Sequence, residues 1–291
     1  MDVYVVGSAN LDLVARTPRL PGPGETVLGH DFFEAPGGKG LNQAVAAARS
    51  GARVGFFGMV GTDNAGDVLR AVLEAEEIDT AALGSSSRPT GRALIGVSDD
   101  GENSIIVVPG ANAQVLPPAV TLHGTRLATA SVVLAQMEIP VQTVIAAFDV
   151  ARHVGATTIL NPAPAAPLPA ELLAVVDICV PNEHEEQGIG GADALLSAGV
   201  TTVITTLGSR GARVTDATGS RHVPAFAVEP VDTTGAGDSF AGALAARLAL
   251  GDDLDTALAW ASAAGALATT KAGAVPSIPR AEEIGALIAG R

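Results

Sequence analysis

The stretch Asp232-Thr233-Thr234-Gly235-Ala236-Gly237-Asp238 concentrates residues able to do chemistry. It follows an extended segment from Val223 to Val231 and runs into a small-residue helix predicted to begin near Ser239. Gly235 and Gly237 lack the Cβ atoms that would keep a ligand off the backbone. N-H groups at a helix N-terminus have no internal partner and lie at the positive end of the dipole. Gly235, Ala236 and Gly237 are therefore a candidate anion hole for a transferring phosphoryl group. A carboxylate in such a place is costly unless it has a task, and Asp238 has an obvious one in taking a proton from a substrate hydroxyl. The plainer reading of a lone G-x-G-D is a helix N-cap after a glycine turn.

Neither of two familiar glycine-rich signatures fits. A dinucleotide fingerprint needs a third glycine where Phe240 stands, and it belongs near the first strand. Gly37-Gly38-Lys39-Gly40 is not a Walker loop, because Phe33 holds the leading glycine position and Gly40 the Ser/Thr position. It does offer a glycine pair that lets backbone approach a ligand, with Lys39 and Asn42 supplying hydrogen bonds at the opening of a helix predicted over Ala44 to Arg49.

Further polar residues fall at predicted strand ends, where ligands of α/β sheets collect. Asn10 and Asp12 follow the strand Val3 to Val6, although Asn and Asp also serve as ordinary turn residues. Gln136-Met137-Glu138 follows the strand Val132 to Ala135. Asn182 and Glu185 follow the strand Asp177 to Val180 on one helical face, suited to phosphate and to Mg²⁺ water ligands, or simply to a helix start capped by Asn182. His184 reads as a surface residue. Thr206-Leu207-Gly208-Ser209-Arg210-Gly211 can wrap a nucleotide or form a bare turn. The loop Lys271 to Ser277 offers carbonyls and a hydroxyl, ligand types that suit a hard monovalent cation.

The elements needed to position these groups are also readable. Strands are expected at Val54 to Phe57, Thr157 to Leu160 and Val203 to Thr206, with helices at Val141 to Val154 and Leu254 to Thr270. The amphipathic segment Asn64 to Ala75 places Val68, Leu69, Val72 and Leu73 as core. This alternation implies an α/β fold with a doubly wound, mostly parallel sheet flanked by helices. Segments at about 11–36 and 91–108 stand apart: one is proline-rich between two alternating runs, the other a hairpin turning at Asp99 to Asn103. Together they predict a small β-sheet lid on a single main domain.

Composition narrows the partners. A chain of 291 residues with 47% hydrophobic content can bury one large core, and a formal charge of -14 disfavours nucleic acid or an anionic membrane surface. The lone Cys179 sits in an apolar run and reads as a buried hydrophobe. No basic leader and no apolar run of membrane-spanning length is present in the sequence given, so a cytoplasmic protein is expected.

Taken in order, Gly7 to Asp12, Gly37 to Ala44, Asn161 to Pro164, Pro181 to Glu185, Thr206 to Gly211 and Asp232 to Asp238 resemble the motifs of the ribokinase, or PfkB-type, carbohydrate kinase family over essentially the whole chain. Each motif alone is weak, whereas their shared order and spacing are not. The resemblance implies ATP-dependent phosphorylation of a sugar, D-ribose at O5 in the first reading. It implies Asp238 as catalytic base and Gly235, Ala236 and Gly237 as its anion hole. Asn10, Asp12, Gly38, Lys39, Asn42 and Glu138, with Asp238, match sugar-holding positions. Asn182, Thr206, Gly208, Ser209, Gly211, Gly237 and Ser262 match the nucleotide side, with Glu185 acting on Mg²⁺ or phosphate. Asp232, Thr234, Ala268, Lys271, Gly273 and Ser277 match a potassium site beside the anion hole. The lid matches one that also forms a homodimer interface.

Two departures stand out. Leu41 replaces the smaller alanine usual between Lys39 and Asn42, and Gln187 to Gly199 is shorter than its counterpart. A kinase for deoxyribose, fructose or adenosine is the competing reading within the fold, and a noncatalytic sugar sensor the competing reading outside catalysis.

Overall fold

Alternating apolar residues on short strands decide the architecture, because successive side chains must bury on opposite faces of one sheet. The computed structural model describes residues 1–290. The main sheet contains β1 (Val3–Val6), β4 (Val54–Gly61), β5 (Asp79–Ser86), β8 (Val132–Gln136), β9 (Thr157–Asn161), β10 (Ile178–Cys179), β11 (Thr202–Thr206), β12 (Ala212–Asp216) and β13 (Gly219–Val223). Its order is β13-β12-β11-β10-β9-β8-β1-β4-β5, parallel from β5 to β11 and antiparallel in β12 and β13. A smaller sheet, β3-β2-β6-β7, is built from β2 (Asn10–Thr17), β3 (Asp31–Gly37), β6 (Gly91–Ser98) and β7 (Asn103–Val108). The second of these arms extends the first, since β6 pairs parallel with β2 along its length.

The helices are α1 (Lys39–Arg49), α2 (Asn64–Ala75), α3 (Pro117–Leu127), α4 (Val141–His153), α5 (Ala170–Leu173), α6 (Glu183–Gly188), α7 (Ala192–Ser197), α8 (Ala236–Ala249), α9 (Leu254–Ala268) and α10 (Ala281–Ala289). Val3, Val5 and Leu134 pack on one face with Leu69 of α2, Val45 of α1, Leu244 of α8 and Leu258 of α9. Tyr4, Val6 and Val133 pack on the other with Val120 of α3, Phe148 of α4, Leu172 of α5 and Leu195 of α7. The expected doubly wound α/β fold with a small second sheet is thus present. Val68, expected in the core, is 36% exposed, because α2 turns Ala65, Gly66, Leu69 and Leu73 inward instead.

Chain direction across the sheet reverses between β1 and β8. From β1 the parallel strands proceed outward through β4 to β5, and from β8 they proceed the other way through β9 to β11. The crevice beyond the carboxyl ends of β1 and β8 is the place such a sheet leaves open for a ligand.

Two helix starts differ from expectation. α1 begins at Lys39 rather than Ala44, since a Cβ on Gly40 would lie 2.5 Å from the Ser8 nitrogen, and glycine there lets the helix start dock on the end of β1. α8 begins at Ala236 rather than near Ser239, which places Asp238 inside the first turn. The N-cap is Gly235, with φ 76°, a left-handed conformation that an L side chain resists.

Candidate active site

Small residues bring the site together. α1 and α8 meet so closely that a Cβ on Gly242 would stand 2.7 Å from the Ala46 Cβ. Helices separated only by glycine and alanine approach more closely than larger side chains allow. That contact carries Asn42 and Gln43 of α1 onto Asp238 of α8. Asn42 Nδ2 donates to Asp238 Oδ2 at 2.9 Å, and Gln43 Nε2 donates to Oδ1 at 2.9 Å. The carboxylate is only 8% exposed, and each oxygen is held by an amide. Asp238 is therefore not the cap of its helix, so the plain N-cap reading fails. No side chain caps α8 at all.

A cavity of about 220 Å³ opens over this helix start. Lys39, Gly235, Gly237 and Asp238 line one part of it, and Asn182, Glu185 and Thr206 line another. The space above Gly237 is open, with nothing within 4 Å of the position a Cβ would take. Helix-start N-H groups without a side-chain cap, facing an open cavity, are suited to oxyanions; of the three expected here, Gly235 and Gly237 line the cavity, whereas the Ala236 N-H donates to the Thr233 carbonyl at 3.3 Å. Asn182 and Glu185 also form the expected capping box: Glu185 N donates to Asn182 Oδ1, and Asn182 N to Glu185 Oε2, both at 2.8 Å. Capping and cavity lining coexist here, because each side chain retains polar atoms beyond the cap. His184 is exposed, as its place in the sequence predicts.

At the switch between β1 and β8, Ser8 Oγ donates to Glu138 Oε2 at 2.5 Å and Lys39 N donates to the same oxygen at 3.1 Å. Asp12 pairs with Ala35 across β2 and β3, and its carboxylate leans so far over the neighbouring Gly37 that a Cβ there would overlap it. Burial first, then the charges of Glu138 and Asp238, pushes the Asp12 carboxyl up to about 7. Burial opposes the charge on Lys39, but Asp238, Glu138 and Glu185 outweigh it and hold the ammonium above the usual lysine range. Gly38, with φ 91°, would put a Cβ 2.8 Å from the Asn10 nitrogen, so glycine there lets the two segments touch. Asn10 is fixed in turn by Asn112, whose Nδ2 donates to Asn10 Oδ1 at 2.7 Å.

Behind the helix start, Asp232 Oδ1 accepts from Thr234 N at 2.9 Å and Oδ2 from Gly273 N at 2.8 Å. Burial works against this carboxylate, yet those N-H groups hold its pKa below the usual value. Arg49 pins the same loop, donating to the carbonyls of Val275 and Ile278 at 2.9 and 2.6 Å. Ser277 is buried and donates to Ala274 O, and Ala268 is buried at the end of α9. The Lys271 ammonium pairs with Glu283 at 2.7 Å, so only its backbone carbonyl is available to that loop.

Not every expected residue reaches the cavity. Gly208 and Ser209 lie in a short 3₁₀ turn beyond Thr206, and Ser262 is buried within α9, none of them among the lining residues. Gly211 is demanded by packing, since a Cβ there would run into the Val223 carbonyl. Conversely, Gln43, Gln136, Asn161 and Asn112 join the hydrogen bonds around Asp238 and Asn10 without an individual role in the sequence reading, although Gln136 stands at a polar strand end and Gln43 and Asn161 within the motifs. Their signal was a polar side chain inside otherwise apolar strands and helices.

A family model described as pfkB family carbohydrate kinase matches residues 1–281. The chain belongs to the pfkB carbohydrate kinase family. Among its relatives, a ribokinase of Staphylococcus aureus (strain COL) is 38% identical over 297 residues, covering 97% of this chain and 98% of that one. The crystal structure of ribokinase from Thermotoga maritima matches with a TM-score of 0.90 at 34% identity, covering 99% of both chains. The structure of Arabidopsis thaliana ribokinase complexed with ribose and ATP matches with a TM-score of 0.90 at 32% identity, covering 98% of both. The resemblance read from the motifs is therefore borne out, and membership of the pfkB family makes the chain a carbohydrate kinase.

Proposed function

We propose that this chain is an ATP-dependent kinase that phosphorylates D-ribose at O5 to give D-ribose 5-phosphate. The observation that carries the chemistry is the buried Asp238 carboxylate, held by two amides at an uncapped helix N-terminus open to a cavity. The substrate follows from the ribokinase relatives, one of them a structure with ribose and ATP.

In this reading the sugar lies beyond β1 and β8, among Asn10, Asp12, Gly38, Lys39, Asn42 and Glu138. The Asn42 Oδ1 atom, buried without a protein partner, suits a sugar hydroxyl donor. Asp238 takes the proton of the hydroxymethyl oxygen as that oxygen attacks the γ-phosphorus. The N-H groups of Gly235, Ala236 and Gly237 receive the charge that spreads over the phosphoryl oxygens. The nucleotide occupies the side lined by Asn182, Glu185 and Thr206, with Gly208, Ser209 and Gly211 at its far edge. The β2–β3–β6–β7 sheet closes as a lid and excludes water, the competing phosphoryl acceptor.

Two ions fit the residues present. Glu185 supplies a carboxylate on the nucleotide side, and Mg²⁺ suits few carboxylates with phosphate and water; bound there, it would neutralise charge on the phosphates. Asp232 with the carbonyls of the 271–277 loop suits K⁺, which would add positive charge behind the anion hole. The apolar outer surface of the lid, including Phe32, Ile105 and Ile106, supports a homodimer formed through it. No helix among the described residues is long and apolar enough to cross a membrane, and a cytoplasmic setting goes with the use of ATP.

The test is coupled ADP release with ATP, Mg²⁺ and K⁺ across D-ribose, 2-deoxyribose, fructose and adenosine. Turnover greatest on D-ribose supports the proposal. Turnover only on another acceptor keeps the chemistry and moves the substrate, and tight sugar binding without turnover on any of the four overturns it in favour of a sensor.

A further inference from the structure

Gln43 is fully buried beside Asn42 on α1, and both its N-H groups and its carbonyl oxygen have partners. Its Nε2 donates to Asp238 Oδ1 at 2.9 Å and to Asn161 Oδ1 at 3.0 Å. Its Oε1 accepts from Gln136 Nε2 at 2.6 Å. A buried amide is costly unless satisfied, and alanines or leucine would pack this helix without that cost. Packing alone therefore gives no reason for a glutamine here.

The direction of the amide is imposed from outside. The Val180 carbonyl can only accept, so Asn161 turns Nδ2 toward it at 2.8 Å and presents Oδ1 to Gln43. Ionised Asp238 also only accepts. These two acceptors leave Gln43 a single orientation, with its N-H groups toward Asp238; Gln136 Nε2 meets the Oε1 on the other side, while the Gln136 Oε1 is buried without a partner. A glutamine so braced cannot turn over to accept a proton from Asp238, and it resists rotation of the carboxylate plane.

We infer that Gln43, its amide direction set by Asn161 and backed by Gln136, is a positioning residue that fixes the plane of the Asp238 carboxylate for accepting the sugar proton. The inference rests on the reading of Asp238 as the base. Asn42 cannot do the same alone, because it holds the other oxygen and faces the sugar side.

The test compares Gln43→Met, of similar length without a donor, Gln136→Met, which removes only the brace, and Asp238→Asn. Each is assayed for kcat, sugar KM, ADP affinity and thermal midpoint. Lys39 from α1 and Asp12 from β2 also act on or with Asp238 and are intact in the two methionine variants. Gln43→Met is expected to lower kcat by about tenfold to a hundredfold, the worth of one hydrogen bond to a charged group. Sugar KM and ADP affinity stay within about threefold, so the loss falls on kcat and not on binding. Gln136→Met shows the same pattern with a smaller loss, and it decides the matter should Gln43→Met not fold. The inference is overturned if kcat matches wild type, or if kcat falls only together with thermal midpoint and ADP affinity. Full turnover by Asp238→Asn would instead defeat the underlying reading of the base.

Discussion

Asn42 Nδ2 and Asp238 Oδ2 are 2.9 Å apart although their residues are separated by 196 positions in the chain. The bond exists because α1 and α8 touch through glycine and alanine, so core packing and active-site geometry are the same contact. Removing the Asn42 amide takes a donor from the base and a hydrogen-bonding group from the proposed sugar pocket. Asn42→Ala is expected to lower kcat/KM for D-ribose by about tenfold to a hundredfold, with both kcat and KM affected. Steady-state kinetics with sugar varied checks it; a change in KM alone would place Asn42 in sugar binding only.

In the proposed sugar pocket, Asp12 would make ribose binding sensitive to pH. With its carboxyl pushed up to about 7, the group is mainly neutral in the folded protein between its ordinary value and 7, where the unfolded chain is ionised. The folded state then binds more protons, so this group's contribution to stability is greatest at low pH and is lost as pH rises through about 7. An ionised Asp12 accepts from sugar hydroxyls more strongly than a neutral one. The expected result is a ribose KM that rises as pH falls from 8 to 6, flattened in Asp12→Asn. The same variant should gain thermal stability relative to wild type at pH 8, with the difference shrinking toward pH 5. A ribose KM that is flat in wild type contradicts this.

Gly237 separates folding from function. Nothing lies within 4 Å of the position its Cβ would take, so Gly237→Val should change stability by no more than about 1 kcal/mol, mostly through helix propensity. The side chain would project into the cavity proposed to receive the phosphoryl group, and turnover should fall by about a hundredfold, the range for disrupting an oxyanion site. Thermal melting and ADP-release assays on one preparation test both halves. An active variant would show that phosphate approaches elsewhere.

How legible all this was in the sequence depends on the kind of residue. The Asp232 to Asp238 loop could be read because glycine spacing and an unexpected carboxylate are local features. The buried amides could not, since Gln136, Gln43 and Asn161 come from β8, α1 and β9 and acquire meaning only when the sheet brings them together. The start of α1 was misplaced for a related reason: glycine disfavours a helix interior, but Gly40 is required by the docking of that turn on Ser8, a tertiary demand that overrides propensity. Strand β5 and the β12–β13 hairpin lie in stretches with many polar or small residues, and α3 and α10, although amphipathic, have no place in the sequence reading. The β13 strand, with Ser220, Arg221 and His222 exposed, is an edge that carries almost no apolar signal.

The lid carries a prediction about assembly. Its strand β7 is exposed along its whole length, and Ile105 and Ile106 are 53% and 61% exposed. Apolar residues gathered on a sheet that is otherwise unpartnered favour association with a second copy. The protein should run as a dimer in light-scattering chromatography, and Ile106→Glu should shift it toward monomer. A monomer in the wild type would remove the lid as an interface.

The central claim is that Asp238 accepts the sugar proton. Its most direct test is the kcat of Asp238→Asn for D-ribose with saturating ATP, Mg²⁺ and K⁺, alongside ADP affinity of the same variant. The account predicts a fall of about a hundredfold or more, the usual contribution of a general base, with nucleotide binding nearly unchanged. Turnover close to wild type would contradict it.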